Sequence, residues 1–186
     1  MELAPNPHLV SWVAQRDRAA SGETALVVGC GVGDDAELLA ELGFAVTAFD
    51  VAPSAVAGAR NRFPQSDVDY LVADVFNPPA GWRSGYDLVV ESYTVQVYQD
   101  ELRSAVIQNV ADMVAQGGTL LVIAHAAAIV ENAGPPWPLT LSDIEAFGPA
   151  GLRPVRLDEI TDDRPPGRQW RAEFRKIDFD HPATAA

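Results

Sequence analysis

Residues 24–34 read Thr-Ala-Leu-Val-Val-Gly-Cys-Gly-Val-Gly-Asp, an apolar run that ends in a G-x-G-x-G turn. Leu26, Val27 and Val28 have the character of a buried strand. Gly29, Gly31 and Gly33 let the backbone turn tightly and approach a ligand with no Cβ in the way. An acidic, helix-like stretch from Asp34 to Leu42 follows at once. A strand, a glycine turn and a helix start, in that order, are how α/β proteins hold nucleotides at the carboxyl ends of their strands.

The position after the third glycine bears on which nucleotide. A dinucleotide fingerprint places a third small residue at position 34, but Asp34 stands there and Asp35 follows. Two carboxylates at a helix start repel a pyrophosphate, which needs that N-terminus free and positive. They tolerate a cationic ligand without phosphates, and S-adenosylmethionine is one. An ordinary strand–helix turn with an acidic cap and no ligand is the plainer alternative.

A chain of 186 residues, 48% of them hydrophobic, has the length and composition of one domain with a sizeable core. The net charge of −13 argues against nucleic acid, whose phosphates most of the surface would repel. Seven of the 13 basic residues lie after Ala150, either a local basic patch for an anionic substrate or, as lone charge clusters usually are, a solvated arginine-rich edge hairpin. Cys30 is the single cysteine, so no internal disulfide can form. Its place in the glycine turn suits packing, and a lone thiol suits a reducing compartment. No signal peptide or apolar run of about 18 residues is seen, which predicts a cytoplasmic protein with no membrane partner. His8, His125 and His181 are scattered with no metal-ligand spacing, so no metal is expected.

Apolar runs alternate with helical patterns, which predicts a parallel sheet with crossover helices. The expected strands are Ala25 to Val28, Ala45 to Asp50, Asp69 to Asp74, Tyr86 to Glu91 and Thr119 to Ala124. Helices are expected over Asp35 to Leu42, Pro53 to Arg62 and Asp100 to Ala115, with another around Leu9 to Ala19. Gly43 stops the first and Pro53 starts the second. Gly117-Gly118 is expected to end the third. Thr140 N-caps a short helix ending near Phe147, with Asp143 in its first turn. Arg153 to Ile160 and Arg168 to Ile177 read as two further strands around Pro165-Pro166-Gly167. The alternation of Trp170, Ala172 and Phe174 suits a half-buried antiparallel strand. Residues 180–186 read as a frayed tail.

Asp50 closes the second strand, 17 residues after Gly33. A carboxylate there can accept from two vicinal ribose hydroxyls, whichever adenine nucleotide is bound. Val51 can lie against one adenine face. Asp74 closes the third strand, where it can accept from the adenine amino group while the Val75 N–H donates to a ring nitrogen. Each acid also has a bland reading, as a helix cap or a polar strand end. His125 ends the fifth strand and is either a general base or a histidine satisfied by hydrogen bonds.

Together these segments resemble the class I S-adenosylmethionine-dependent methyltransferases. The matching stretches are residues 26–33, Phe49-Asp50-Val51, Ala73-Asp74-Val75-Phe76, residues 86–91 and residues 117–122, about half the chain and in family order. The resemblance implies a doubly wound α/β fold, Rossmann-like, with helices on both faces of the sheet. Its seven strands run in the order 3-2-1-4-5-7-6, the seventh antiparallel. It also implies S-adenosyl-L-methionine as cofactor, held by Gly29, Gly31, Gly33, Asp34, Asp50, Val51, Asp74, Val75 and Glu91. The catalytic candidates are Glu91, Tyr93 and His125. Trp12, Tyr93, Tyr98 and Trp137 are the candidates for the acceptor pocket, with Trp12 on a helix that commonly covers the cofactor. One domain over 1–186 is expected: a lid helix (1–22), a cofactor core (23–125), a substrate-side loop and short helix (126–150) and a strand pair (151–180). The helix start at residues 33–40 and Glu91-Ser92-Tyr93-Thr94 are similar to the thiopurine and halide methyltransferase branch.

One departure from the family stands out. Most members carry an acid two residues before the first glycine, near the methionine ammonium, and here Val27 occupies that position. Backbone carbonyls near Gly29, or Asp34 or Glu91, are then left to hold the ammonium. The expected activity is methyl transfer to a small molecule by in-line displacement. Its rivals are a binding protein without turnover, serving as a sensor or partner subunit, and an NAD enzyme, which Asp34 disfavours.

Overall fold

Seven strands form one sheet in the order β3-β2-β1-β4-β5-β7-β6 in the computed structural model, which describes residues 3–16, 22–127, 134–163 and 166–177. The strands are β1 (Thr24–Val28), β2 (Ala45–Asp50), β3 (Asp69–Val72), β4 (Tyr86–Ser92), β5 (Val114–His125), β6 (Leu152–Asp163) and β7 (Pro166–Lys176). The first five are parallel, and β7 runs antiparallel to both β5 and β6. The order and the antiparallel seventh strand are as the family resemblance implies. Expectations for residues 17–19, 128–133, 164–165, His181 and the tail at 180–186 lie outside the described residues.

The parallel strands are buried on both sides, so their residues divide between two cores. Leu26, Val28, Val89, Leu120 and Val122 face one, with α4 (Asp100–Met113) and α5 (Leu141–Glu145). Ala25, Val27, Leu88, Val90 and Leu121 face the other, with α1 (Pro7–Val13), α2 (Asp34–Glu41) and α3 (Pro53–Arg62). On β7, Trp170, Ala172 and Phe174 join the α4 core, as their alternation predicts. The short α5 carries a full capping box between Thr140 and Asp143.

Several boundaries differ from the sequence reading, and three matter most. The first helix begins at Pro7, with Asn6 as its N-cap, and ends at Val13. The third strand ends at Val72, which leaves Asp74 in the turn beyond it. Gly117-Gly118 does not separate helix from strand. It lies inside β5, where the register shifts between the Tyr86–Val114 and Leu88–Thr119 pairs. A Cβ on Gly118 would sit 2.8 Å from the Ala115 carbonyl oxygen, so glycine there marks a close backbone approach within the sheet.

Candidate active site

The carboxyl ends of β1, β2 and β4 open onto a cleft of about 360 Å³. Gly29, Asp50 and Val51 form one side of it, Ala73 and Val75 a second, and Ser92, Tyr93 and Thr94 a third. Phe49, Val97 and Tyr98 complete it. The volume lies within the range of small-ligand pockets. Asp50 is the only charged residue among those that line it.

The glycine turn is shaped by what packs on it. Gly29 and Gly33 have φ of 66° and 97°, backbone that residues with a Cβ rarely adopt. A Cβ on Gly29 would strike the Thr94 side chain, and one on Gly33 would strike the Tyr70 ring. Thr94 Oγ1 in turn donates to the Val28 carbonyl at 3.1 Å, which ties the loop after β4 to the turn after β1. Cys30 is buried, and burial first, with the Asp50 charge second, pushes its thiol up to about 12, so it is an inert packing group.

Asp50 is held in place by the turn it faces. Its Oδ2 accepts from the Gly31 N–H at 3.0 Å and its Oδ1 from the Ala52 N–H at 2.9 Å. A carboxylate offers about four lone-pair sites, so two remain for hydroxyl donors in the cleft. Val51 beside it is 63% exposed, an apolar face with nothing yet against it. Val75 is buried at the cleft wall, while Asp74 is exposed and accepts from the Phe76 N–H at 2.9 Å.

Two acids expected among the cofactor ligands, Asp34 and Glu91, are not among the residues that line the cleft. Asp34 forms a two-pronged pair with Arg62, at 2.7 and 2.9 Å. Its charge is spent there, so repulsion of a diphosphate cannot rest on Asp34; Asp35 instead accepts from the Asn6 N–H at 2.6 Å. Glu91 is fully buried on the α4 side of the sheet. Its Oε1 accepts from the Thr94 and Val95 N–H groups at 2.6 and 2.9 Å, and its Oε2 has no hydrogen-bond partner. Burial outweighs those two bonds and raises the carboxyl to about 7. Glu91 thus holds the loop that carries Tyr93, a non-glycine residue at φ 62°, and is not itself a lining residue.

Tyr93 stacks on His125, with ring centroids 4.8 Å apart and planes 20° from parallel. Buried Gln96 accepts from the His125 backbone N–H at 2.8 Å, and the buried Gln169 amide meets His125 Nδ1 at 2.8 Å. Burial lowers the imidazole pKa, which keeps the ring neutral at pH 7. His125 therefore supports Tyr93 from behind and does not line the cleft. Tyr98 reaches the cleft, with its ring edge-on to Phe76 at 5.1 Å. Burial first, then the charges of Asp74 and Asp50, push its phenol up, so it stays protonated.

Trp12, expected at the acceptor pocket, does not line the cleft. Its indole N–H donates to Glu173 at 2.8 Å, beside Thr119 in the middle of β5. The N-terminal segment still reaches the site through Asn6, which sequence reasoning missed. Asn6 caps α1 and donates to Ser92 Oγ at 3.0 Å. An asparagine directly before Pro7 is a helix-start signal that could have found it. Ser92 and Thr94 also line the cleft, in the stretch 91–94 that the resemblance singled out without giving either a role. Trp137 lies one step outside the cleft, in an adjoining groove with Val97 and Tyr98. Among the described residues no group of His, Cys, Asp and Glu could hold a metal, and no helix is long and apolar enough to cross a membrane.

Residues 25–118, half of the chain, match the family described as "Methyltransferase domain". The ubiquinone biosynthesis O-methyltransferase of Xanthomonas campestris pv. campestris is 37% identical over 121 residues, 64% of this chain and 49% of the relative. The chain spans about half the length of the curated relatives it matches. Among solved structures, the N-methyltransferase NodS of Bradyrhizobium japonicum WM9, in complex with S-adenosyl-L-homocysteine, superposes with a TM-score of 0.74 at 21% identity. That match covers 93% of this chain and 89% of NodS. The 1,6-didemethyltoxoflavin-N1-methyltransferase of Burkholderia thailandensis, with S-adenosylhomocysteine bound, has a TM-score of 0.74 at 16% identity, over 93% of this chain and 78% of that one. These two likenesses show the shared fold.

Proposed function

The chain belongs to the methyltransferase-domain family, and from that premise we propose that it moves a methyl group from S-adenosyl-L-methionine to a small-molecule acceptor. The observation that carries this reading is a cleft at the strand ends whose one charged lining residue is the carboxylate of Asp50. That lining suits an adenosine joined to a cation and offers no basic side chain to a diphosphate. The narrower likeness to thiopurine and halide methyltransferases rests on residues 33–40 and 91–94 alone.

The bound donor supplies a methyl group on a positive sulfur, open to direct attack. The chain's own residues bind and orient. Asp50 accepts from the ribose hydroxyls, Val51 and Val75 enclose the adenine, and Asp74 lies at the adenine edge. With Val27 in the core and Asp34 and Glu91 engaged elsewhere, the ammonium falls to the carbonyls of the glycine turn and to Ser92 Oγ. Tyr93 and Tyr98 line the side on which the acceptor arrives. Most of the rate then comes from holding donor and acceptor in line, and the positive charge is lost as the methyl leaves, so no oxyanion hole is needed.

Calorimetric titration tests the donor and assay of S-adenosylhomocysteine release tests turnover. Binding of S-adenosylmethionine with no binding of NAD is expected. A preference for NAD would overturn the reading. Binding without release in the presence of any acceptor would favour the sensor, the second reading that Val27 motivates. Asp34→Asn should change S-adenosylmethionine affinity by less than about threefold, since the charge it removes faces Arg62 in a partly exposed pair. A loss well beyond that would return Asp34 to the cofactor.

His125 gives a separate test. His125→Ala should keep cofactor affinity and lower turnover through loss of the ring under Tyr93. His125→Phe, which restores a ring but no titratable nitrogen, should recover most of that turnover. Failure of phenylalanine to rescue, with both variants folded, would make His125 the general base.

A further inference from the structure

Beside the donor cleft runs a groove of about 580 Å³ that shares Val97 and Tyr98 with it. We propose that this groove, between residues 97–102 and Trp137, seats the methyl acceptor, and that the acceptor is an apolar amine that arrives as its ammonium. The inference rests on the methyl-transfer reading and names the substrate class of that same site.

The apolar part of the lining is Val97, Tyr98, Leu102 and Trp137. Val97 and Leu102 are 42% and 58% exposed, large side chains left in the open at the mouth of the groove, with Trp137 among the residues that line it. Arg103 ties the two sides together. Its Nε donates to the Tyr98 carbonyl at 2.8 Å and its Nη2 to the Trp137 carbonyl at 3.1 Å. The Trp137 N–H donates to the Gln96 carbonyl at 2.7 Å. An apolar body that covers Leu102 and Trp137 is removed from water, which supplies the affinity.

The charge at the groove has one sign. Arg103 is nearest in sequence, but its Nη1 pairs with Asp143 at 2.9 Å and its side chain is only 12% exposed. No Lys or Arg lines the groove, while Asp100 and Glu101 do, and neither has an ion-pair partner among the described residues. Acidic residues in the first turn of α4 also suit its dipole, and both are exposed where they line the groove. A carboxylate or phosphate acceptor meets repulsion at this rim, a neutral alcohol gains nothing from it, and an ammonium is drawn in. Tyr and Trp faces attract the same charge.

The chemistry balances without a further reactant. The ammonium gives a proton to water, and the freed nitrogen lone pair forms the N–C bond. The C–S bond of the donor breaks as it forms, and its electron pair stays on sulfur. The products are an N-methyl ammonium and a neutral thioether.

The test uses the protein loaded with S-adenosylhomocysteine, titrated with three probes of similar shape: 2-phenylethylamine, 2-phenylethanol and 3-phenylpropionate. The amine should bind about tenfold tighter than the alcohol, as one partly screened charge pair provides, with the carboxylate weakest. The double variant Asp100→Asn, Glu101→Gln should erase the amine's advantage and leave the alcohol unchanged. Asparagine suits position 100, whose φ is 52°, so that variant should fold. Equal or tighter binding of the carboxylate, survival of the amine's advantage in the double variant, or no saturable binding of any probe would each overturn the inference. S-adenosylhomocysteine that binds while the amine does not sinks the acceptor class alone. Failure of S-adenosylhomocysteine and S-adenosylmethionine to bind at all sinks the methyl-transfer reading first.

Discussion

Glu91→Gln should gain on the native protein in stability as pH rises, by on the order of 3 kcal/mol between pH 4.5 and pH 8. The native carboxyl ionises near 4.5 in an unfolded chain and near 7 in the fold, because burial opposes its charge. Below 4.5 it is protonated in both states and costs nothing. Between 4.5 and 7 the unfolded chain releases the proton while the folded one keeps it, so stability falls through that window. Above 7 the full loss persists. Glutamine does not titrate, yet its Oε1 can still accept from the Thr94 and Val95 N–H groups. Any constant cost of the buried amide cancels when the two proteins are compared at the two pH values. Urea melts across pH 4.5–8 give the result; curves that stay parallel would mean that Glu91 ionises normally. Because Glu91 holds the Tyr93 loop, the same window should appear in the pH profile of acceptor affinity in the native protein and be absent in the variant.

Asp50→Ala is expected to weaken S-adenosylmethionine binding by about 10- to 100-fold, or roughly 1–3 kcal/mol, through loss of charge-assisted bonds to the ribose. Part of that effect is preorganisation, since the Gly31 and Ala52 N–H groups hold the carboxylate where a ribose would meet it. Asp50→Asn keeps one acceptor oxygen and should fall between the two. Calorimetry gives the affinities, and a circular dichroism melt shows whether the variants fold. Native-like affinity in a folded alanine variant would move the nucleoside out of the cleft beside Gly29.

The elements most legible in sequence were those with a local signal at each end. The second strand and the helix Pro53–Arg62 match their expected bounds because Asp50 ends one and Pro53 starts the other. Gly43, at φ 93°, stops α2 as a glycine after a helix does. Thr140 and Asp143 cap α5 across three residues, within reach of local reading. The strand order came from resemblance to a family, and parallel crossovers of one hand leave few other orders.

The site was legible only in part. Gly29, Asp50 and Val51 lie where their spacing put them, because each ends or follows a strand in one sheet. Asp34 and Trp12 each turn to a partner that no local pattern could name, while Glu91 turns to the Thr94 and Val95 N–H groups three and four residues on. Asp34 meets Arg62, 28 residues on, and Trp12 meets Glu173, 161 residues on. Glu91 faces the α4 core because side chains alternate along β4, and the loop it holds folds back over it.

What the chain's order of residues determined alone is the set of strand-end positions and the backbone freedom of the glycine turn, since both depend on neighbours a few bonds away. What tertiary structure decided is where each charge is spent: Asp34 on Arg62, and Arg103 on Asp143 and two carbonyls. A charge in low-dielectric surroundings takes the nearest compensating group in space, and that group is fixed by packing across the sheet and not by distance along the chain.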